Sequence, residues 1–358
     1  MMRILHLIPT LHGGGAERQL AYLAAGLRAR ACDVHVAMLE GGTNLPRVEA
    51  AGATIHHLPR SSNYDPRILF RLVRLIRRIR PDIVQTWLTQ MDVFGGVASF
   101  LTGTPWIVSE RSSGAHYQKT RREKLRRFVG GYASAVIANS QPGLEGWGHS
   151  RGRLLVVPNA VPFEDINAAP RDTTDFGDAK LILFGGRMGP EKNIPNLILA
   201  LREVIAQRNV VALLCGTGTM EEEIRASIEA AGCRDKIGML GFCENLPGLM
   251  KRADLLVAPS WYEGHPNVSI EAAAVGCPLV VSDIPAHRGW LDDESALFAP
   301  PDDPHALALA MLATLDDPAA AACRAARARK RIDDWTVERT SAAYLNVYEE
   351  IFAHHART

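Results

Sequence analysis

The chain of 358 residues is 47% hydrophobic and 22% charged, with a formal net charge of +1. That length exceeds the usual size of one domain, roughly 100 to 200 residues, so two domains are expected. The six cysteines form no C-x-x-C pair, and no stretch resembles a membrane span or a signal peptide. We therefore expect a cytoplasmic protein without a disulfide framework or a structural zinc site.

The charge is unevenly distributed along the chain. Residues 1–165 contain 21 Lys and Arg against 12 Asp and Glu, whereas residues 166–358 contain 19 against 27. The first part is therefore basic and the second acidic, and we expect the two parts to face different partners.

Short apolar, β-branched runs alternate with helical patterns along both parts. The runs include MRILHLIP, DVHVAML, DIVQTW and PWIVSE, and then, after a proline-containing stretch that predicts a linker, LILFGG, VVALLCG, DLLVAPS and PLVVSD. Such alternation is typical of α/β folds with doubly wound parallel sheets. We predict an N-terminal Rossmann-like domain over residues 1–165, a C-terminal one over 166–336, and a final helix over 337–358 that packs back toward the first domain.

Glycines at residues 13–15 follow the first predicted strand and open a helix. Glycine lets a backbone approach a phosphate or a sugar closely, and a helix N-terminus favours negative charge. The stretch matches neither the G-x-G-x-x-G nor the P-loop pattern, so a plain tight turn is an equally good interpretation.

Two further strand ends in the second part carry candidate ligand groups. FGGRMGPEKN, residues 184–193, places Arg187 and Lys192 where doubly wound sheets collect ligands, and this pair of cations suits a diphosphate. CGTGTMEEE, residues 215–223, offers Gly216 and Gly218 as a cradle for a nucleotide. The alternatives are two ordinary solvated cations and an ordinary helix-start turn.

The stretch SWYEGHPNVSIEAAAVG, residues 260–276, predicts a loop with Glu263 and a short helix with Glu271. Carboxylates on either side of a helix start accept hydrogen bonds from hydroxyls, while the start itself favours an anion. A nucleoside diphosphate sugar has hydroxyls at both ends and charge in the middle. The alternative is a solvated Glu263 and a Glu271 that complements the helix dipole. Four amides are expected to point between the carboxylates: Gly264, His265, Asn267 and Val268.

Taken together, GGGAER, GRMGPEKN and EGHPNVSIEAAAVGCPLV resemble the retaining family 4 glycosyltransferases over nearly the whole chain. The resemblance implies the GT-B architecture, in which two Rossmann-like doubly wound domains face each other across a cleft. It also implies a UDP- or GDP-sugar donor. No D-x-D pattern occurs in the chain, so we expect cations in place of a metal and no cofactor.

The resemblance also assigns roles to matching residues. It implies that Arg187 and Lys192 neutralise the departing donor diphosphate and that Glu271 binds the ribose hydroxyls. It implies that Glu263 holds the donor sugar and supports positive charge at the anomeric carbon. In the first domain, Gly14 and Gly15 would face the donor phosphates or the acceptor.

The first part departs from the family pattern at two places where many members carry a histidine. One place reads VSERSSG, with Glu110 and Arg111, and the other reads TWLTQMD, with Gln90 and Asp92. His116 lies further along the chain. The acceptor-side candidates are therefore Glu17, Trp87, Glu110 and Arg111.

Two predicted helices of the first part, residues 67–80 and 119–128, are strongly basic. In the first, Arg67, Arg71, Arg74 and Arg78 form one helical stripe. A basic amphipathic surface suits anionic lipid headgroups, and a solvated face of a core-packed helix is the alternative. We expect a glycan or polyprenyl-linked saccharide as acceptor and a peripheral location at the cytoplasmic face of the inner membrane. Nucleic acid is not expected, because no recognition motif accompanies these arginines.

Two other functions fit the same shape. A nucleotide-sugar epimerase of GT-B fold would need no acceptor. A nucleotide-sugar-binding protein without activity would fit the missing histidines.

Overall fold

The structure is a computed structural model that describes residues 1–60, 62, 65–112, 120–148 and 150–357. His116 and Lys119 lie outside the described residues. The chain forms two compact units, one of Met1–Ala160 with Trp335–Thr358 and the other of Val161–Asp334. We call them unit 1 and unit 2.

Unit 1 contains a seven-stranded parallel sheet in the order β3-β2-β1-β4-β5-β6-β7. The strands are rich in β-branched and apolar residues, which suits a sheet that is covered on both faces. They are β1 (Arg3–Thr10), β2 (Asp33–Glu40), β3 (Thr54–His57), β4 (Ile83–Trp87), β5 (Trp106–Glu110), β6 (Ala135–Ala138) and β7 (Arg153–Val156).

Helices connect these strands, as a parallel sheet requires. They are α1 (Gly15–Ala29), α2 (Leu45–Ala50), α3 (Arg67–Ile79), α4 (Leu88–Thr102), α5 (Arg121–Gly130) and α6 (Gln141–Trp147). Side chains of α3 and α4, such as Leu72 and Met91, pack on one face of the sheet, while Leu20 and Leu27 of α1 pack on the other.

Unit 2 repeats the design with a six-stranded parallel sheet in the order β10-β9-β8-β11-β12-β13. The strands are β8 (Lys180–Gly185), β9 (Val210–Cys215), β10 (Ile237–Gly241), β11 (Leu255–Ala258), β12 (Leu279–Ser282) and β13 (Leu297–Ala299). The helices are α7 (Phe163–Ala168), α8 (Ile194–Ile205), α9 (Glu221–Ala230), α10 (Leu246–Arg252), α11 (Asn267–Ala274), α12 (Pro285–Arg288), α13 (Pro304–Asp316) and α14 (Pro318–Arg331). A 3-10 turn, Pro190–Lys192, precedes α8.

The last helix, α15 (Val337–His355), belongs to unit 1. Its Tyr344 and Tyr348 are buried in the same core cluster as α1, and the Tyr348 hydroxyl donates to Gln85 of β4. The core of unit 1 is therefore completed by a segment that follows unit 2 in the sequence.

Candidate functional site

In unit 2 the loops that follow β8 and β9 lie backbone against backbone. Gly216 has φ +138°, and a Cβ built there would lie 1.8 Å from the carbonyl oxygen of Gly186. A Cβ at Gly218 would lie 2.3 Å from the carbonyl oxygen of Met188, whose amide donates to Thr217 at 2.9 Å. No side chain fits at either position, so both glycines are needed to hold the two loops together.

The Lys192 ammonium is held beside the loop that follows β11. Its Nζ lies 2.5 Å from Oε1 of Glu263, and the Ser260 hydroxyl donates to the same oxygen at 2.7 Å. The Lys192 and Glu263 side chains are 17% and 15% exposed. The ion pair is therefore sheltered without being sealed from a ligand.

The backbone around this ion pair is fixed by separate contacts. The side-chain amide of Asn193 donates to the carbonyl oxygens of Pro259 and Pro301 at 3.0 and 2.6 Å. The backbone amide of Trp261 donates to the backbone carbonyl of Glu191 at 2.9 Å. These bonds join the 3-10 turn to the β11 loop. The relative position of Lys192 and Glu263 is thus set by the fold as well as by their charges.

Arg187 lies on the same strand-end turn and is mostly exposed. Its guanidinium donates to Oε1 of Glu191 at 2.6 and 3.1 Å, and its side chain is 69% exposed. Partial burial, the largest single cause, acts to raise the pKa of Glu191, but hydrogen bonds from Arg187 and the backbone, together with the charges of Arg187 and Lys192, lower that pKa overall. Glu191 therefore remains a carboxylate at neutral pH.

Glu271 lies in the second turn of α11 and is 7% exposed. The helix begins at Asn267, whose amide donates to the carbonyl of His265. Val268 packs closely on Gly185, since a Cβ built at Gly185 would lie 3.0 Å from Cγ1 of Val268. The start of α11 and Glu271 are therefore fixed beside the end of β8.

A chain of buried hydrogen bonds supports the Glu263 loop from behind. The Ser282 hydroxyl donates to the Ser260 carbonyl at 2.6 Å, and the His287 ring lies with Nδ1 2.8 Å from the Ser282 carbonyl. Burial lowers the pKa of His287, so its ring is neutral at pH 7. Nothing in the sequence pattern marks these residues, since a Ser and a His at strand ends are common in cores.

In unit 1, the glycine turn after β1 begins α1 with Gly14 as the N-cap. A Cβ at Gly14 would lie 2.2 Å from a carboxylate oxygen of Glu17, so the Glu17 side chain folds back over the turn. A carboxylate at this place is stabilised by the positive, N-terminal end of the helix dipole.

Trp87 and Arg111 lie together at the ends of β4 and β5. The Arg111 guanidinium stacks 4.4 Å from the Trp87 ring centroid and donates to Asn159 Oδ1 at 3.0 Å and to the Tyr344 hydroxyl. Trp87 is fully buried. Arg111, with an intermediate exposure, is the member of this pair that a ligand can reach.

Two family profiles match the chain. Glycosyltransferase Family 4 matches residues 13–165, and Glycosyl transferases group 1 matches residues 165–331. The chain belongs to the GT-B glycosyltransferases of group 1. The expected fold, with two doubly wound parallel sheets, is confirmed.

Individual relatives agree with the family. An α-1,4-N-acetylgalactosaminyltransferase of Campylobacter jejuni, named as acting on a diNAcBac-PP-undecaprenol-linked saccharide, is 24% identical over 98% of this chain and 99% of its own length. An uncharacterized glycosyltransferase of Methanocaldococcus jannaschii is 31% identical, but the match spans only 46% of this chain and 45% of that protein. Anabaena HepE, solved in complex with UDP-glucose, has a TM-score of 0.85 at 22% identity and covers 97% of this chain and 100% of its own.

Glu110 of this glycosyltransferase lies in a buried charge network. Arg126 of α5 donates to Asp92 Oδ2 at 2.6 Å and to Glu110 Oε2 at 2.9 Å, and it lies 4.9 Å from the Trp147 ring centroid. The three charged side chains are at most 1% exposed. Their ion pairing and burial give Glu110 a structural environment, which differs from that of an open acceptor-side group.

The basic stripe expected on α3 is divided by local contacts. Arg67 and Arg71 pair with Asp65, and Arg71 also donates to the carbonyl of Pro59, so these two arginines hold the preceding loop. Arg74 and Arg77 are exposed on the same side as Phe70, which is 74% exposed. Arg67 and Arg71 nevertheless remain 62% and 34% exposed, so the expected stripe persists on α3, and an exposed aromatic ring lies beside it.

Among the described residues, no group of three or more His, Cys, Asp or Glu side chains is placed to hold a metal ion. No single helix there is long and apolar enough to cross a membrane, and α13 and α14 meet that criterion only as a pair bent by 103°.

Proposed function

We propose that this glycosyltransferase transfers a sugar, with retention of configuration and without a metal, from a UDP- or GDP-sugar to a lipid-linked saccharide. The product would serve cell-surface polysaccharide or glycolipid synthesis. The observation that carries the proposal is the Lys192–Glu263 pair at 2.5 Å, beside Arg187 at the carboxyl ends of β8 and β11. In open α/β sheets this edge is where ligands bind.

The two cations serve the departing diphosphate. A lysine ammonium has three N–H donors and a guanidinium has five, so Lys192 and Arg187 can bind phosphate oxygens while each keeps its carboxylate partner. As the bond between the anomeric carbon and the diphosphate breaks, the electron pair passes to the phosphate oxygen. Fixed cations at that oxygen stabilise the charge that develops there.

The two glutamates bind the two ends of the donor. Glu263, next to the cations, accepts hydrogen bonds from the sugar and favours positive charge at the anomeric carbon. Glu271, in the second turn of α11, accepts hydrogen bonds from the ribose hydroxyls. The acceptor oxygen attacks the anomeric carbon on the face that the diphosphate leaves, and its proton passes to the departing phosphate oxygen, so no protein base is required.

Two observations support a lipid-linked acceptor. The Campylobacter relative that aligns over 98% of this chain is named for an undecaprenol-linked substrate. Unit 1 also exposes aromatic rings among cations, with Phe70 at 74% on α3 and Phe128 at 66% on α5. Aromatic and basic side chains together suit the headgroup region of an anionic membrane.

The donor is identified first by thermal shift with a panel of UDP-, GDP- and ADP-sugars, because a bound donor raises the apparent stability. Transfer is then measured to a polyprenyl diphosphate-linked saccharide, with the anomeric configuration of the product determined by NMR. We expect transfer with retention that persists in EDTA. An inverted product, or activity that EDTA abolishes and Mg²⁺ restores, would contradict the proposed mechanism.

Membrane association is tested by flotation with vesicles of phosphatidylglycerol and phosphatidylcholine. The double variant Arg74→Gln/Arg77→Gln should lose binding at low salt, since each cation near an anionic surface contributes about 1 kcal/mol. A matched control removes two exposed arginines of unit 2, Arg225→Gln/Arg234→Gln. Equal flotation of both double variants would remove the support for this surface.

A further inference from the structure

A polar cluster of His12, Glu40 and Arg60 lies at the carboxyl edge of the unit 1 sheet. Glu40 is the last residue of β2, and His12 and Arg60 follow the ends of the neighbouring strands β1 and β3. Nε2 of His12 lies 3.2 Å from Oε1 of Glu40, and the Arg60 guanidinium donates to Oε2 of Glu40 at 2.7 Å. We call these residues the edge cluster.

The backbone beneath the edge cluster is fixed without help from its side chains. The Asn44 side chain donates to the carbonyl of His12, and the Asn44 amide donates to the carbonyl of Leu11 at 2.9 Å. Gly42 lies so close that a Cβ there would be 2.4 Å from the His12 amide nitrogen. The loops after β1 and β2 therefore stay together whether or not His12 meets Glu40.

The side chains of the edge cluster are nevertheless open to solvent. His12 and Glu40 are 56% and 50% exposed, and Arg60 is 22% exposed. Exposed ion pairs contribute little to stability, so holding the fold does not account for the cluster. A prearranged polar group on a rigid loop at the ligand edge of a doubly wound sheet is what a binding site requires.

The chemistry of the edge cluster fits hydroxyl groups. The hydrogen bond to His12 is the main cause that lowers the pKa of Glu40, so Glu40 is a carboxylate that accepts hydrogen bonds. Nε2 of His12 donates to Glu40, so the Nδ1 edge of the ring and the N–H donors of Arg60 remain to meet the polar groups of a ligand. Sugar hydroxyls both donate and accept.

We propose that the edge cluster binds the hydroxyls of the terminal sugar of the acceptor. This inference rests on the proposed function, which assigns the donor to unit 2 and leaves the acceptor to unit 1. It assigns acceptor recognition to residues at the carboxyl ends of β1, β2 and β3, in addition to Arg111 after β5. His12 and Glu40 act as binding groups in it.

The test compares His12→Ala and Glu40→Gln with His305→Ala, which removes the histidine of an exposed pair at 2.8 Å from Glu203 in unit 2. Both edge-cluster variants should raise KM for the polyprenyl diphosphate-linked saccharide at least about tenfold, since hydrogen bonds to charged groups are lost. KM for the donor should not change. His305→Ala should leave both constants unchanged.

A second measurement does not depend on transfer. Methyl α-N-acetylgalactosaminide, chosen from the acceptor sugar named for the Campylobacter relative, is titrated into wild-type protein while the His12 ring is observed by NMR. We expect a saturable shift that Glu40→Gln weakens. No shift at His12, or unchanged acceptor KM in both variants, would overturn the edge cluster alone. Absence of transfer by wild-type protein with every donor would instead overturn the proposed function.

Discussion

The two units use the same kinds of charged residue under opposite conditions. In unit 1, Arg126 and its partners Asp92 and Glu110 are at most 1% exposed. In unit 2, Lys192 and Glu263 are 17% and 15% exposed and lie at the ligand edge of the sheet. The first network has no access for a ligand, whereas a ligand can share the partners of the second. Burial, more than residue type, therefore separates the structural charges from those that we propose to be functional.

The largest effect is expected from Arg126→Met. It leaves Asp92 and Glu110 buried without their cation, and breaking a buried ion pair costs about 3 to 5 kcal/mol of unfolding free energy. Arg127→Met is the matched control, because Arg127 is 36% exposed and pairs with Glu123 at 3.1 Å along the same helix. Glu123 is only 8% exposed, but it also lies 3.5 Å from Arg126, so it keeps a cation when Arg127 is replaced and the loss should be at most about 1 kcal/mol.

Urea denaturation of both variants measures this difference. We call Arg126, Asp92 and Glu110 the interior network. Similar losses of stability in the Arg126 and Arg127 variants would mean that the interior network is not structural, and the comparison between the units would then fail.

Lys192→Ala and Glu263→Ala should have the opposite profile. Each should reduce kcat by about 10² to 10³, the effect of losing one fixed group at a developing charge. The unfolding free energy should fall by less than in Arg126→Met, since the charge that remains keeps some contact with solvent. Lys180→Ala is the control, because Lys180 pairs with Asp254 at 3.0 Å away from the strand-end turns.

Turnover with the identified donor and acceptor tests this prediction, and the double variant sharpens it. Because Lys192 and Glu263 form one ion pair beside one reacting bond, the double variant should lose much less than the product of the single losses. Wild-type turnover in both single variants would contradict the assignment.

Glu271 is where the comparison between buried and exposed charge is most open to challenge. It is 7% exposed, close to the interior network in burial, yet the family resemblance makes it a ribose ligand. Glu271→Gln keeps the shape but loses a charged acceptor, so donor affinity should fall about tenfold to a hundredfold, the range for hydrogen bonds to charged groups. Isothermal titration with the donor and urea denaturation separate the outcomes. A loss of stability with unchanged donor affinity would make Glu271 structural.

Much of the fold follows from the sequence, because parallel strands between two layers of helices read as apolar runs. Val210–Cys215 and Leu279–Ser282 are strands where VVALLCG and PLVVSD predict them. Helix α7, by contrast, lies inside the predicted linker. Its six residues show no clear period, and its Phe163 packs under Arg329, 4.0 Å from the ring centroid, a contact that only the folded chain creates.

The candidate site is predicted in part. Strand-end position is enough to place Arg187, Lys192 and Glu263 on one edge of the sheet. The partner of Lys192 is not predictable, since Lys192 and Glu263 are 71 residues apart and their contact depends on side-chain placement. Gly216 shows a second limit: a phosphate and the Gly186 backbone both demand glycine at a close approach, and the sequence does not distinguish them.

The pH dependence of stability tests the interior network without removing any of its charged groups. Burial, with a contribution from the charge of Glu110, raises the pKa of Asp92 from 3.8 to about 6 against the opposing effect of Arg126. Because this pKa is higher in the folded state, stability is greatest below pH 4 for this group and falls as the pH rises to about 6. The slope is at most about 1.4 kcal/mol per pH unit. Asp92→Asn removes the titration, so the wild-type unfolding free energy minus that of the variant should decrease between pH 4 and pH 6 and then level off. A difference that is constant with pH would mean that Arg126 keeps Asp92 ionised throughout, and the interior network would then be a fully charged cluster like the one at the edge of unit 2.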